Sequence, residues 1–168
     1  MRCFISIDFP VEDNTGKLLG ELGTISGIKK VNSLHLTLKF LGEIDSEEAE
    51  KTEATMKKLE KYPKFNVKLH DIGAFPNEDY IRVIWIGVSD SVVEKMAEDL
   101  DSKKFAPHVT VARVKNAREK EKIVDLIKRY KNTDFGEYTV DRVFLKKSTL
   151  TPDGPIYEDL YEVKLIHE

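Results

Sequence analysis

Two short runs in this sequence carry residue types that could do chemistry together: His35-Leu36-Thr37-Leu38 and His108-Val109-Thr110-Val111. Chance alone supplies roughly a quarter of one H-x-T in a chain with this few histidines and threonines, so a duplicate is a signal. If each run is a strand, its period of two sends histidine and threonine to one face and the apolar residues to the other. Imidazole titrates near neutral pH, so two of them across one cleft can divide base and acid work. That division suits a phosphodiester. One histidine takes a proton from attacking water and the other gives one to the departing alkoxide, while the threonine hydroxyls donate to the non-bridging oxygens as charge builds there. A lone strand histidine is more often a hydrogen-bonded structural residue, and the matched threonines are what reverse that reading. Zinc chemistry would need a third or fourth ligand, which His70, His167 and Cys3 do not supply at suitable spacing.

The elements that must position these residues can be read around them. Residues 2 to 8 are rich in β-formers ahead of Pro10, and a weak helix follows over 11 to 26, with Leu18, Leu19, Leu22 and Ile25 at helical spacing but Gly16, Gly20 and Gly23 against it. Residues 28 to 42 read as one extended stretch carrying the first motif. Asp45 with Glu48 has capping-box spacing and opens a helix that Pro63 ends. Phe65 to Leu69 and Tyr80 to Val88 suggest a hairpin. Ser91 with Glu94 opens a short helix, Phe105 to Val114 is the strand of the second motif, and Asn116 with Glu119 opens a helix closing near Asn132. Val140 to Leu150 and Ile156 to Ile166 are strands joined by TPDGP. This order predicts an α+β fold with mostly antiparallel sheets. A strand carrying H-x-T recurs in each half and no linker divides the chain, so residues 1–168 are expected to form one domain of two pseudo-symmetric lobes around a central cleft.

Composition narrows the function classes. The 168 residues carry 27 Lys and Arg against 30 Asp and Glu, a formal charge of −3, so no global basic field is available and any nucleic-acid contact must be local. One cysteine excludes an internal disulfide framework and fits a reducing compartment. MRCFISIDFP lacks the long apolar run of a signal peptide, and no stretch reaches the roughly 18 to 20 apolar residues of a membrane span. A cytoplasmic, membrane-free protein is the expectation.

The sequence resembles the RNA 2′,3′-cyclic phosphodiesterase family, also called 2′-5′ RNA ligases or LigT-like proteins, within the 2H phosphoesterase superfamily. The resemblance runs through MRCFISIDFP, SLHLTLKFLGEI, IGAFPN with RVIWIGV, FAPHVTVARV, and VFLKKSTL with GPIYEDLYEV. It implies that His35 and His108 are the catalytic pair, that Thr37 and Thr110 donate to phosphate oxygens, and that Arg113, the arginine following the second motif, helps bind phosphate. The implied reaction opens a terminal 2′,3′-cyclic phosphate to a 2′-phosphate without metal or other cofactor, with His35 protonating O3′ and His108 activating water. Reversal of the same chemistry would give 2′-5′ ligation. The implied partner is an RNA end, tRNA fragments among them, acted on by a monomer. One departure is that the stretch between Val88 and Phe105 is short for the family. Two other readings stay open: an RNA-end binding protein without turnover, and an enzyme acting on a small cyclic nucleotide or an ADP-ribose cyclic phosphate.

Supporting residues are less determined. The period-two count puts Lys39 on the face of His35 and Thr37, either at the cleft or as a solvated edge lysine. Strict alternation puts Arg113, five beyond His108, on the wrong face, unless a bulge or strand end re-aims it. Lys29, Lys30, Lys103 and Lys104 are either a basic rim or scattered solvated charges. Phe75 and Trp85 could stack a base, although Trp85, inside a hydrophobic strand, reads as core. Ser148 and Tyr157 are read as fixing the fold, and His70 and His167 are assigned no role.

Overall fold

The computed structural model describes residues 1–166; His167 lies outside the described residues. The chain runs β1 (Arg2–Phe9), α1 (Asp13–Leu22), β2 (Ile28–Lys30), β3 (Leu34–Glu43), α2 (Ser46–Met56), a 3₁₀ turn (Lys57–Lys61), β4 (Phe65–Pro76), β5 (Ile81–Val88), α3 (Ser91–Asp99), β6 (His108–Val114), α4 (Lys120–Tyr130), β7 (Asp134–Val140), β8 (Arg142–Thr151) and β9 (Gly154–Lys164). One nine-stranded sheet holds all these strands, in the order β7-β4-β5-β6-β3-β1-β8-β9, with β2 also on β6. Every pairing between them is antiparallel. The α+β architecture is as anticipated, with one continuous sheet in place of separate ones. Four strands of the main path lie on either side of the β3–β6 junction, each set beginning with a strand that carries one H-x-T.

The apolar halves of the alternating strands make the core. Leu34, Leu36 and Leu38 on β3, Val109 and Val111 on β6, and Ile84 and Ile86 on β5 are fully buried in one cluster with Leu18, Leu22, Met96 and Leu126 from the helices. Helices α1 and α4 pack toward β2, β4 and β7, while α3 packs toward β3. The opposite face of the sheet carries the polar halves of the same strands.

Local signals place the helix ends. Asp45 caps α2 by accepting from the Glu48 amide at 2.8 Å, and the helix tightens into the 3₁₀ turn before Pro63. The cap of α3 is Asp90, accepting from Val92 and Val93, so the capping residue lies one position ahead of Ser91. Helix α4 begins at Lys120 rather than Asn116, whose side chain instead accepts from the Arg118 amide. The extended stretch of 28 to 42 is split into β2 and β3, and the strand β7 lies ahead of Val140, where the sequence pattern shows none. Its sequence, DFGEYTV, hides a strand behind a Gly136 at φ +108°, a conformation that weakens the period-two signal.

Candidate active site

The two motif strands meet at a single registered pair, Leu36 opposite Val109. Carrying that antiparallel register one residue either way sets His35 across from Thr110 and Thr37 across from His108. All four are half-buried while Leu36 and Val109 are fully buried, so the quartet projects from the polar face around a local two-fold relation. This is the arrangement the motif spacing predicts.

His35 is edged by aromatic rings, Phe4 at 5.2 Å and Tyr157 at 5.3 Å between centroids. Asp8 and Ser6 of β1 lie opposite His35 and Thr37 in register. Burial lowers the pKa of His35 below its ordinary value; Asp8 opposes the shift, and Lys146, Arg113 and His108 add to it. His108 has its Nδ1 2.7 Å from the carbonyl of Ala106. A carbonyl only accepts, so Nδ1 carries the proton and Nε2 keeps its lone pair when the ring is neutral. Phe75 stands edge-on to this ring at 5.0 Å.

A bulge after each motif decides where the next basic residue goes. On β6, Trp85 pairs with Thr110 but Ile84 pairs with Ala112, so Val111 is the extra residue and Arg113, opposite Val83 and Lys29, returns to the face of the histidines. On β3 the same event has the opposite consequence. Ser6 pairs with Thr37 but Ile5 with Lys39, which turns Lys39 to the helix side, where its Nζ donates to the Leu100 carbonyl at 2.7 Å. Lys39 is therefore not placed with the histidines, and the period-two count fails because an extra residue, Leu38, interrupts it. Phe40 takes the turned-out position instead, 71 % exposed and 6.4 Å from Phe4.

Other residues are placed in ways the sequence does not show. Trp85 is half-buried on the polar face, not in the core: it shares a row with Thr110, its ring is 5.2 Å from Phe75, and it lies over Gly73, where a Cβ would collide with it. Its indole N–H is buried without a hydrogen-bond partner among the described residues. Tyr157, read from sequence as a fold-fixing residue, lies against His35; burial raises its pKa while Arg113, Lys146 and Arg2 pull it down. Lys29 joins Arg113 on the polar face, whereas Lys103 and Lys104 lie in the turn before β6. His70 stands in the row of His108 two strands away, with Gly87 between them. Among the described residues no cluster of three or more His, Cys, Asp or Glu could hold a metal ion.

Sequence reasoning also misses the charges beside His35. Lys146 of β8 is only 8 % exposed, and its Nζ lies 2.9 Å from Asp8 Oδ2 and 2.6 Å from Asp159 Oδ1. The Ser6 hydroxyl donates to Asp8 Oδ1 at 3.3 Å. The one hint in the sequence is the alternation Phe4-Ser6-Asp8 in β1, which puts polar residues on the face of His35.

The two halves of the sheet each bring a histidine and a threonine to one face, with an arginine beside them. The LigT like Phosphoesterase family profile matches residues 7–85 and 89–157, and the chain belongs to this family. It is 40 % identical to the RNA 2′,3′-cyclic phosphodiesterase of Methanocaldococcus jannaschii, over 96 % of this chain and 99 % of that protein. It is 37 % identical to the protein of the same name from Archaeoglobus fulgidus, over 95 % and 98 % of the two chains. The crystal structure of a Thermus thermophilus protein superposes with a TM-score of 0.83 at 29 % identity, covering 98 % of this chain and 97 % of the other. Escherichia coli LigT, solved with 3′-AMP, shares the fold at a TM-score of 0.72 and 23 % identity, covering 98 % and 97 %.

Proposed function

We propose that the protein is an RNA 2′,3′-cyclic phosphodiesterase that hydrolyses a terminal cyclic phosphate to a 2′-phosphate using His35 and His108 and no metal. The observation that carries this reading is the quartet around the Leu36–Val109 pair, which supplies two titrating imidazoles and two hydroxyl donors to one face. Its relatives' name supplies the substrate class. Water attacks phosphorus and gives its proton to His108 Nε2, the P–O3′ bond breaks, and His35 protonates the leaving O3′; Thr37 and Thr110 donate to the non-bridging oxygens. The Ala106 carbonyl supports the role of His108, since holding the proton on Nδ1 leaves Nε2 free to accept. The carboxylate of Asp8 supports the role of His35, since it favours the protonated ring. Arg113 offsets phosphate charge, and Phe75 with Trp85 offers a ring surface beside His108 on which a base can stack. A 5′-hydroxyl in place of water would give a 2′-5′ linkage by the same proton transfers. The substrate is an RNA end, tRNA fragments among them, and the protein works as one domain, 1–168, and as a monomer.

The test is incubation in EDTA of an RNA oligonucleotide ending in a 2′,3′-cyclic phosphate, with a cyclic mononucleotide in parallel, and resolution of 2′- from 3′-phosphate. Wild type should yield the 2′-phosphate, and His35→Ala or His108→Ala should each lose about 10²- to 10⁴-fold in rate. Binding of the oligonucleotide without turnover would replace the enzyme by an end-binding module. Preference for the mononucleotide would move the substrate away from RNA.

A further inference from the structure

Lys146 is a cation almost shut off from water, and the proposed chemistry gives it no work. Stability alone is a poor reason for it, because a buried ion pair replaced by an apolar side chain of similar volume is often no less stable. Its placement is specific. The ammonium stands between Asp8 of β1 and Asp159 of β9, above the Phe144 ring at 4.8 Å. Both oxygens of Asp8 are engaged, Oδ2 by Lys146 and Oδ1 by the Ser6 hydroxyl, so the carboxylate opposite His35 is fixed in orientation.

Resting on the reading of His35 as a proton-transfer group, we infer that Lys146 is a positioning residue that aims Asp8 and cancels its charge, so that the charge on His35 follows occupancy of the cleft by an anionic phosphate. The groups facing His35 are Asp8 on β1, Lys146 on β8, Tyr157 on β9, and Arg113 and His108 on β6, and Asp159 on β9 engages the Lys146 ammonium. With the cleft empty, the two carboxylates on Lys146 balance the two permanent cations Lys146 and Arg113, and burial then favours the neutral ring. A cyclic phosphate diester brings one negative charge, tips that balance and draws a proton onto His35. The donor is thereby loaded when there is a leaving group to receive its proton. Without Lys146 the balance is already negative, and His35 would hold a proton in the empty cleft.

The experiment is a heteronuclear NMR titration of the His35 ring in wild type, Lys146→Met, Asp8→Asn and Asp159→Asn, each with and without adenosine 2′-monophosphate as the anionic probe. Wild type should show an upward shift on adding the probe. Lys146→Met should titrate higher than wild type without the probe and respond less to it, whereas Asp8→Asn and Asp159→Asn should both titrate lower. A structural role alone would not move the variants in opposite directions. If Lys146→Met does not fold, the two asparagine variants still decide, because an unchanged His35 titration in both overturns the inference. Kinetics add an independent sign: with His35 as donor, Lys146→Met should raise kcat/KM on the alkaline side of the optimum and leave the acidic side unmoved. The expected NMR shifts together with no turnover of cyclic-phosphate RNA would keep the positioning role and reject the hydrolytic reading.

Discussion

At the scale of single residues, His35 and the two threonines carry consequences that can be measured separately. Burial holds the pKa of His35 below its ordinary value of 6.5, so the unfolded chain binds the proton more readily than the folded one. Stability from this residue is therefore fully present above pH 6.5 and is lost as pH falls through the folded-state value. The urea midpoint should drop as pH falls below 6.5, and His35→Gln should flatten that part of the curve; an unchanged slope would mean that His35 is not desolvated. In the proposed mechanism the threonines act on developing charge. Thr37→Val and Thr110→Val keep the side-chain shape but remove the donor, and each should lower kcat by about 10- to 10³-fold with a smaller effect on KM. A change confined to KM would make them binding groups only. The quartet is legible in sequence because both H-x-T runs sit where the strand period is regular. The placement of Lys39 and Arg113 is not, because each lies beyond a bulge, and a bulge is set by the neighbouring strands rather than by any residue type within the run.

At the scale of elements, the paired bulges explain how one strand pattern yields two different cleft walls. The position five beyond each histidine is turned to the polar face, and it is Phe40 after one motif and Arg113 after the other. The cation is thereby placed on β6, while β3 offers an exposed ring. The β4–β5 hairpin adds the second wall by a close approach, since Gly73 lets the Trp85 indole lie directly on the β4 backbone. Gly73→Ala puts a methyl group into that ring and forces it to move, at a cost of about 1–3 kcal/mol. Trp85 is the one tryptophan in the chain, so its emission should shift as stability falls, and the KM for cyclic-phosphate RNA should rise if the indole is part of the cleft. An unmoved emission spectrum would place the ring elsewhere. The hydrophobic pattern of YIRVIWIGV makes Trp85 look like core, because a strand flanked on both sides within a sheet is apolar enough on both faces to blur which one is open. Helix starts are readable to within a few residues wherever a capping side chain is present, as at Asp45. The strand β7 is not, since Gly136 breaks its alternation.

For the whole molecule, the question is how a chain of net charge −3 attracts a polyanion. The strand order answers it by geometry: β2, β3, β6, β1 and β8 bring Lys29, Arg113, Arg2 and Lys146 toward one face, although the four are far apart in sequence. Lys146 is neutralised by its two carboxylates, so the net attraction rests on a few cations beside the histidines. The rest of the chain carries a net negative charge, which favours gripping a strand at its end over binding along its length. The salt dependence of binding measures this directly, because each phosphate neutralised contributes about −0.7 to the slope of log affinity against log salt for single strands. An end-gripping cleft that neutralises roughly two phosphates should give a slope of about −1.4, and lengthening the oligonucleotide should leave that slope unchanged. Arg113→Met should reduce its magnitude by about 0.7 while leaving the fold intact. A slope that steepens with each added nucleotide would show contacts running along the strand, and the patch around the histidines would then be only one part of a larger surface.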